Sequence, residues 1–209
     1  MKLYSYWRSS AAYRVRIALN LKGIRAEQVP IELMRGQQQA TDYLALNPGG
    51  TVPTLETEEG PILQSLAAIE YLEAIQPEPR LIPEAPFEAA RVRGLALMIA
   101  ADLHPLNNLR VTRRLQELGH DQQAVIDWML HWMKRGLGAY QAALPQGTRF
   151  SCGDAPSLAD VCLVPQLYNA RRWGLDLSPL SRLVEIETLC LSLPAFADAR
   201  PEVQPDAEP

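Results

Sequence analysis

The sequence contains no long apolar run. Among its 209 residues, no segment approaches the roughly 20 uninterrupted apolar side chains that a membrane-spanning helix requires. The N-terminal segment MKLYSYW has the pattern of a strand and lacks the apolar stretch of a secretory signal peptide. From these absences we expect a cytoplasmic protein with no membrane partner.

Positive charge is not in excess either. The chain carries 20 lysine and arginine residues against 24 aspartate and glutamate residues, a formal net charge of −4 at pH 7. Such a balance creates no overall field that would attract nucleic acid or an anionic membrane. We therefore expect no nucleic-acid partner, and any binding site for an anion must be built locally.

Cysteine is scarce. The three cysteines, Cys152, Cys162 and Cys190, are widely spaced, with no CxxC pair and no histidines at ligand spacing. This pattern indicates neither disulfide bonds nor a metal site. The apolar sequence around Cys162 and Cys190 predicts that both pack in a core, whereas the polar loop around Cys152 leaves its role open.

Strand and helix patterns alternate over the first eighty residues. Apolar residues make up 47% of the chain, enough for one large core or two modest ones. Strands are predicted at 3–6, 28–31, 52–56 and 62–63, and helices at 12–22, 41–46 and 65–75. The short turn Glu58–Gly60 can join antiparallel strands but not parallel ones. The order therefore predicts a small α/β domain with a mixed sheet over residues 1–80.

Proline interrupts the chain after this domain. The segment Gln76–Pro86 contains Pro77, Pro79, Pro83 and Pro86, which cannot continue a helix, so we place the domain linker here. Helices are predicted beyond it at 87–118, 121–144, 158–173, 182–191 and 194–200. They indicate an all-helical second domain over residues 87–209. Pro105 and Pro165 should kink two of these helices or mark their ends, and segment 202–209 is predicted to be a disordered tail.

The segment Trp7–Ala12 joins the first predicted strand to the first predicted helix. Backbone N–H groups at the helix start and the hydroxyls of Ser9 and Ser10 converge there, which would stabilise an anion or a thiolate. Serine is also a preferred N-cap residue, so the spacing alone leaves both interpretations open.

Two further segments have a similar ambiguity. Pro53 stands at the mouth of a predicted strand, where a cis bond would expose the backbone of Val52 to a peptide ligand. An ordinary edge turn is the alternative. Gln64 and Ser65 begin the next helix and suit a carboxylate, although capping by Ser65 explains them equally well.

In the second domain, His104, Asn108 and Arg110 lie near Pro105. A disrupted helix there would let side chains face a cleft between the domains, while a surface helix with a capping residue is the alternative.

Arg171 and Arg172 end a predicted helix, where cations complement the helix dipole, although a guanidinium group would also suit a dianionic ligand. Ser157–Asp160 matches a capping box and is interpreted as structural.

Four separated motifs resemble a single family. YSYWRSSxxYRVRIALNLKG, LNPxGTVPTL, QSxAAIEYLE and PxPRLIPE are similar to the zeta class of glutathione transferases across nearly the whole chain. The segment Asp102–Asn108 is similar to the DxHPxNN segment of bacterial members. The resemblance implies a thioredoxin-like N-terminal domain, an all-helical C-terminal domain, glutathione as cofactor and a homodimer.

Carried over by position, the resemblance also implies which residues bind glutathione. Ser9 would face the sulfur with Ser10 beside it, and Val52 would pair with the cysteinyl backbone. Gln64 and Ser65 would hold the γ-glutamyl end. Further contacts are implied for Gln38, which would approach the glycine carboxylate, and for Asp102, His104, Asn108 and Arg110.

The activity implied by the resemblance is cis–trans isomerisation of a small dicarboxylic dienone, above all maleylacetoacetate in the degradation of aromatic amino acids such as tyrosine. A glutathione thiolate would add to the cis double bond and leave after rotation. Arg8 and Arg172 would hold the substrate carboxylates, because a planar guanidinium group matches a carboxylate.

Ala11 departs from the Ser-Ser-Cys of the zeta signature and excludes chemistry through a cysteine at this position. Isomerisation needs only the thiolate of glutathione, so it remains compatible with the sequence. Three alternatives stay open: a maleylpyruvate isomerase, a glutathione-conjugating transferase or dehalogenase, and a non-catalytic glutathione-binding protein.

Overall fold

The first strand and helix lie close to their predicted positions. In the structure, a computed structural model that describes residues 1–208, strand β1 spans Lys2–Ser5 and helix α1 spans Ser10–Lys22. Helix α1 ends at Gly23, whose φ of 64° lies in the left-handed region that favours glycine. The connection Tyr6–Ser9 between them is therefore short, and it contains the predicted anion site.

Four strands form one mixed sheet. Strands β2 (Glu27–Pro30), β3 (Thr54–Thr57) and β4 (Gly60–Leu63) join β1 in the order β2-β1-β3-β4. Strand β1 is parallel to β2, to which α1 connects it, whereas the pairs β1–β3 and β3–β4 are antiparallel. The predicted mixed sheet is thus confirmed.

Helices cover this sheet and supply its core. Helix α2 spans Thr41–Leu46 and helix α3 spans Ser65–Ile75, both as predicted. Helices α1 and α3 pack against each other. Burying an aliphatic side chain contributes roughly 1.5–3 kcal/mol. The fully buried residues of this core include Leu3, Ile17, Leu55, Ile69 and Leu72.

A buried lysine joins the end of α1 to the proline-rich segment. The ammonium group of Lys22 lies 2.5 Å from a carboxylate oxygen of Glu73 in α3 and donates to the carbonyl oxygens of Pro77 and Pro79. Because a buried ammonium group requires such partners, these contacts fix the chain just after the end of α3.

The second unit of the structure, Leu81–Leu191, consists of helices. They are α4 (Pro86–Leu97), α5 (His104–Leu106), α6 (Leu109–Glu117), α7 (Gln122–Ala143), α8 (Leu158–Arg172) and α9 (Ser181–Leu191). The predicted all-helical character is confirmed. No helix within residues 1–208 is both long and apolar enough to cross a bilayer.

The predicted helical stretch 87–118 is interrupted near Pro105, where a kink or a helix end was expected. A π-helical turn, Met98–Leu103, separates α4 from α5, and a break at Asn107 separates α5 from α6. Pro105 gives the physical reason, because it has no N–H and its ring clashes with the carbonyl group four residues earlier. By contrast, α8 continues through Pro165.

The capping box at the start of α8 is present, as predicted. The carboxylate of Asp160 is completely buried and accepts hydrogen bonds from the Ser157 N–H, the Ser157 hydroxyl and the Ser151 N–H, at 2.8, 2.9 and 2.8 Å. Burial nevertheless raises the pKa of Asp160 above its ordinary value. The Tyr140 hydroxyl extends the network by donating to Ser151 Oγ at 3.0 Å.

The C-terminal segment differs from its prediction. Residues 192–208 pack with residues 1–80 rather than with the helices of the second unit, which departs from the predicted domain 87–209. Helix α10, Pro194–Ala197, is shorter than the predicted helix 194–200. The predicted tail is ordered up to residue 208 and includes a short helical turn at Pro201–Val203. Pro209, the last residue of that tail, lies outside the described residues.

Candidate active site

The register of the sheet brings four connecting segments to one edge. Tyr4 pairs with Thr54, and Thr54 pairs with Leu63, so β1 and β4 end where β3 begins. Strand β2 ends at the same edge, where Pro30 lies opposite Ser5. The segments that meet this edge, 6–9, 31–40, 47–53 and 64–65, contain most of the residues predicted to bind glutathione in the first unit.

Ser9 is the N-cap residue of α1. Its Oγ accepts a hydrogen bond from the Ala12 N–H at 3.2 Å. A hydroxyl group can accept and donate at the same time, so the Ser9 O–H remains able to donate to an anion. Ser10 is the first helical residue and is 8% exposed. The capping role and the anion-binding role predicted for Ser9 are therefore compatible at the positive end of the helix.

Arg8 lies over the ring of Trp7. The centre of its guanidinium group is 4.4 Å from the ring centroid, and Nη2 donates to the Tyr6 hydroxyl at 3.3 Å. Within the described chain, Arg8 Nε and Trp7 Nε1 are buried donors without a hydrogen-bond partner. Because buried donors are normally satisfied, this pair indicates that a polar ligand belongs beside the turn.

The bond between Val52 and Pro53 is cis, the geometry that the sequence motif suggested. Pairing of β3 begins only at Thr54, so the Val52 backbone takes no part in the sheet. Two side chains that sequence reasoning missed hold this loop: the Tyr43 hydroxyl and Asn47 Nδ2 both donate to the Thr51 carbonyl, at 2.7 and 2.8 Å. Asn47 could have been noticed within the LNPxG motif, whereas no motif pointed to Tyr43.

Gln64 has an unusual backbone conformation. It is the one non-glycine residue in the described chain with a positive φ, 73°, a conformation that costs about 1–3 kcal/mol. Ser65 follows as the first residue of α3, and its hydroxyl accepts a hydrogen bond from Arg14 Nη1 at 3.3 Å. Sequence reasoning missed Arg14, although an arginine within the apolar run 11–19 of α1 was a usable signal. Its side chain is 2% exposed.

Gln38 is also buried, at 6% exposure, on a short 3₁₀ helix, Gln37–Gln39. Within residues 1–208, its Oε1 has no hydrogen-bond partner. Gly50 packs directly against this helix at a φ of 55°. A Cβ atom there would lie 2.5 Å from Gln39 Nε2 and 3.2 Å from the Gln38 carbonyl oxygen. Glycine is therefore required at position 50 for the close approach of the two loops.

Two family models match the chain. Residues 1–74 match the N-terminal domain of glutathione S-transferases, and residues 132–201 match their C-terminal domain. The chain belongs to the glutathione S-transferase family. The thioredoxin-like sheet and the helical second unit agree with that assignment.

Individual relatives narrow the similarity to one class. The maleylacetoacetate isomerase of Pseudomonas aeruginosa is 47% identical over 99% of this chain and 98% of that protein. A holo structure of maleyl pyruvate isomerase, a bacterial zeta-class transferase, is 41% identical with a TM-score of 0.97 and full coverage of both chains. A maleylacetoacetate isomerase from Methylobacterium extorquens with bound malonate and glutathione is 40% identical, with a TM-score of 0.96 and full coverage of both chains. The resemblance to the zeta class is confirmed.

The first unit of this transferase fits glutathione chemically. The tripeptide has a thiol, a peptide backbone and two carboxylates, and each has a complement at the sheet edge. The start of α1 with Ser9 suits a thiolate, and the unpaired backbone at Val52 suits a peptide. Ser65 above Arg14 suits one carboxylate, and the NH2 group of the buried Gln38 side chain is a donor that suits the other.

The predicted helical contacts to glutathione lie in the second unit. Asp102 and Arg110 are exposed, whereas His104 and Asn108 are half-buried. They follow one another through the π-helical turn, α5 and the start of α6. Asn108 Oδ1 accepts a hydrogen bond from the Arg110 N–H at 3.1 Å, so Asn108 caps α6. π-helical turns recur at functional sites, which is consistent with the contacts to glutathione predicted for this segment.

The neighbouring arginines of α8 have different surroundings. Arg171 forms an ion pair with the buried carboxylate of Glu187, which gives it a structural role. The guanidinium group of Arg172 is exposed and lies 5.0 Å from the ring centroid of Trp173. Arg172, in the second unit, therefore remains a candidate for a substrate carboxylate.

The cysteines of this transferase do not provide an activated thiol. Burial raises the pKa of Cys152 to about 11, and it raises the pKa of Cys190 further. Cys162 is completely buried. A thiol with such a pKa is almost entirely protonated at neutral pH, so neither Cys152 nor Cys190 suits nucleophilic chemistry.

Proposed function

We propose that this chain is a glutathione-dependent isomerase that converts maleylacetoacetate to fumarylacetoacetate in aromatic amino acid degradation. One observation carries the proposal: Ser9 Oγ caps α1 as an acceptor and keeps its O–H for an anion at the positive end of that helix. The named relatives support the substrate class. Maleylpyruvate is the second candidate substrate, because this chain superposes on the maleyl pyruvate isomerase structure, with a TM-score of 0.97, as well as on the maleylacetoacetate isomerase structure, with a TM-score of 0.96.

Glutathione would supply the thiolate that adds to the conjugated cis double bond, allows rotation about it and is then released unchanged. The protein's own part is to keep that sulfur ionised. The Ser9 O–H and the first N–H groups of α1 interact more strongly with negative charge than with a neutral thiol.

Other residues of the sheet edge hold the remainder of the tripeptide. The Val52 backbone pairs with the cysteinyl backbone in the manner of an added strand. Gln64 and Ser65 bind the γ-glutamyl end, where Arg14 supplies positive charge beneath the Ser65 hydroxyl. Gln38 binds the glycine carboxylate through its buried amide.

Additional binding groups come from the second unit. Four residues there are proposed as further contacts to glutathione, and their support is the resemblance together with their place around a π-helical turn. They are Asp102, His104, Asn108 and Arg110.

Arg8 and Arg172 are proposed to hold the substrate carboxylates. The Arg8 guanidinium group lies over the Trp7 ring, and its Nε–H has no partner in the described chain, which leaves it a donor for a carboxylate. Negative charge moves toward the ketone oxygen during addition, and donors that meet such charge are worth roughly 3–4 kcal/mol. The Ser10 N–H, the first of α1, is proposed to face the glutathione sulfur together with the Ser9 hydroxyl.

We also propose a homodimer and a cytoplasmic location. The family resemblance supports the dimer, and twofold dimers are the commonest oligomers. A reducing compartment would keep the glutathione thiol available.

The test offers maleylacetoacetate and, separately, maleylpyruvate to the purified protein with and without glutathione. We expect isomerisation of maleylacetoacetate, followed by ultraviolet absorbance, only when glutathione is present. Chromatography should recover glutathione unchanged, and the ratio of kcat/KM values decides between the two substrates.

Stable glutathione conjugates or halide release from halogenated acids would instead indicate a conjugating transferase or dehalogenase. Binding of glutathione without turnover of either dienone would contradict the isomerase proposal and leave a binding protein.

A further inference from the structure

The turn that precedes α1 provides no partner of its own for either backbone group of Trp7. The Ser9 N–H donates to the Tyr6 carbonyl oxygen at 2.9 Å and closes a β-turn over Tyr6–Ser9. In a turn of this kind, the N–H and the carbonyl group of the second residue, here Trp7, have no partner within the turn. Because Trp7 is buried, both groups need partners from elsewhere in the chain.

Charged side chains provide both partners. The Trp7 N–H donates to Asp206 Oδ2 at 2.9 Å, and the Trp7 carbonyl oxygen accepts from Arg16 Nη2, also at 2.9 Å. Hydrogen bonds to charged groups are stronger than neutral ones. The two peptide groups that flank Trp7 are thus each held by a charged side chain, one by an anion and one by a cation.

The same arginine ties the turn to the C-terminal segment. Arg16 is 3% exposed, its Nε donates to the Ala199 carbonyl oxygen and its Nη1 donates to Ser5 Oγ, both at 3.1 Å. One guanidinium group therefore joins the end of β1, the turn and the segment that carries Asp206.

The C-terminal segment is itself fixed near Asp206. Gln204 Nε2 donates to the carbonyl oxygens of Asp198 and Arg200, at 3.1 and 2.8 Å, and the Ala207 N–H donates to the Gln204 carbonyl at 3.0 Å. These bonds fold the segment back on itself, so the Asp206 carboxylate is presented by an ordered stretch of chain.

We propose that Asp206, together with Arg16, is a positioning residue for the turn that activates glutathione, an inference that rests on the proposed function. The Trp7 carbonyl belongs to the central peptide of the turn, whose orientation distinguishes the common turn types. Arg16 fixes that peptide, and Asp206 fixes the one before it. Ser9 closes the turn, so its hydroxyl direction depends on both.

Arg8 depends on the same two contacts. Its guanidinium group rests on the Trp7 ring at 4.4 Å, so a rotation of Trp7 would displace it. The C-terminal segment thereby acts on the two residues proposed to meet the sulfur and a substrate carboxylate. Misplacement of such groups by about 1 Å can cost up to a hundredfold in rate.

The test compares Asp206→Ala, Asp206→Asn and Glu202→Ala. The asparagine variant keeps an oxygen acceptor, and Glu202 is an exposed carboxylate of the same segment that serves as the matched control. Amide hydrogen exchange of the Trp7 N–H, measured by NMR without glutathione, reports the contact directly. Thiolate absorbance of bound glutathione, kcat and KM report its consequence.

We expect Asp206→Ala to lose protection of the Trp7 N–H, to raise the pH at which bound glutathione ionises, and to lower kcat on the order of tenfold. Asp206→Asn should retain most of the Trp7 N–H protection, of the glutathione ionisation and of kcat. Glu202→Ala should match the parent protein in all three. The melting temperature of Glu202→Ala should match that of the parent protein, whereas that of Asp206→Ala should fall because a buried N–H loses its acceptor, so kcat is measured well below both melting temperatures.

Unchanged Trp7 protection in Asp206→Ala would show that the contact is absent and would overturn the inference. Lost protection with ionisation and kcat equal to those of Glu202→Ala would show that the contact has no positioning role. If the parent protein binds no glutathione, the proposed function fails, and the exchange measurement still decides whether Asp206 holds the turn.

Discussion

At the scale of single residues, Ser9 makes the sharpest prediction. Replacing Ser9 by alanine removes both the cap acceptor and the proposed donor to the thiolate. We expect kcat to fall roughly 100-fold, in the range for loss of one charge-stabilising donor, while stability falls by about 1 kcal/mol from the lost cap. Stopped-flow kinetics and urea unfolding measure the two effects separately.

Ser9→Thr is the matched variant, because threonine keeps the hydroxyl and still caps a helix. It should retain most of the activity and nearly all of the stability. If Ser9→Ala lowers stability but leaves kcat unchanged, Ser9 is a cap residue alone and another donor must face the sulfur.

Local rules predicted some site residues and missed others for a physical reason. Ser9 and the bond before Pro53 were visible because capping and X-Pro geometry depend on neighbours in sequence. The partners of Arg14 and Asp206, which are Ser65 and Trp7, lie far away along the chain, so the sequence could mark Arg14 as unusual but could not show what either side chain binds. Only tertiary packing shows that these charges are used.

At the scale of secondary-structure elements, the buried cap of α8 should be worth more than an exposed one. Asp160 accepts three hydrogen bonds at zero exposure, whereas Asp121 caps α7 in solvent with one bond from the Ala124 N–H at 2.8 Å. We expect Asp160→Ala to cost about 3 kcal/mol or more, because it leaves buried donors unsatisfied. Asp121→Ala should cost about 1 kcal/mol.

Chemical denaturation of the two alanine variants gives this comparison directly. Equal losses would mean that burial does not strengthen the cap. The starts of α7 and α8 were both predictable from sequence, since an acidic side chain lies in the first turn or at the cap of each helix. The π-helical turn Met98–Leu103 was not predicted, because Pro105 signals a kink or an end of a helix but not the kind of turn that precedes it.

At the scale of the whole molecule, the first unit is completed by the last part of the chain. Helix α1 supplies donors that bind backbone carbonyls of the C-terminal segment: the Tyr13 hydroxyl to Phe196 at 3.5 Å and Asn20 Nδ2 to Ala195 at 3.0 Å. The last residues of the C-terminal segment are polar and include proline, as in a disordered tail. Composition therefore could not reveal that the segment packs against α1. The first unit is therefore formed by segments that are far apart in the sequence, 1–80 and 192–208.

Phe196 tests that dependence. Its side chain is completely buried in the first unit, so Phe196→Ala should cost about 3–5 kcal/mol, whereas Val203→Ala, at an exposed site of the same segment, should change stability by less than about 0.5 kcal/mol. Hydrogen exchange followed by mass spectrometry locates the effect. Protection should fall in β1 and α1 and persist in α7 and α8. Loss confined to α7 and α8 would mean that the segment stabilises the helical unit instead.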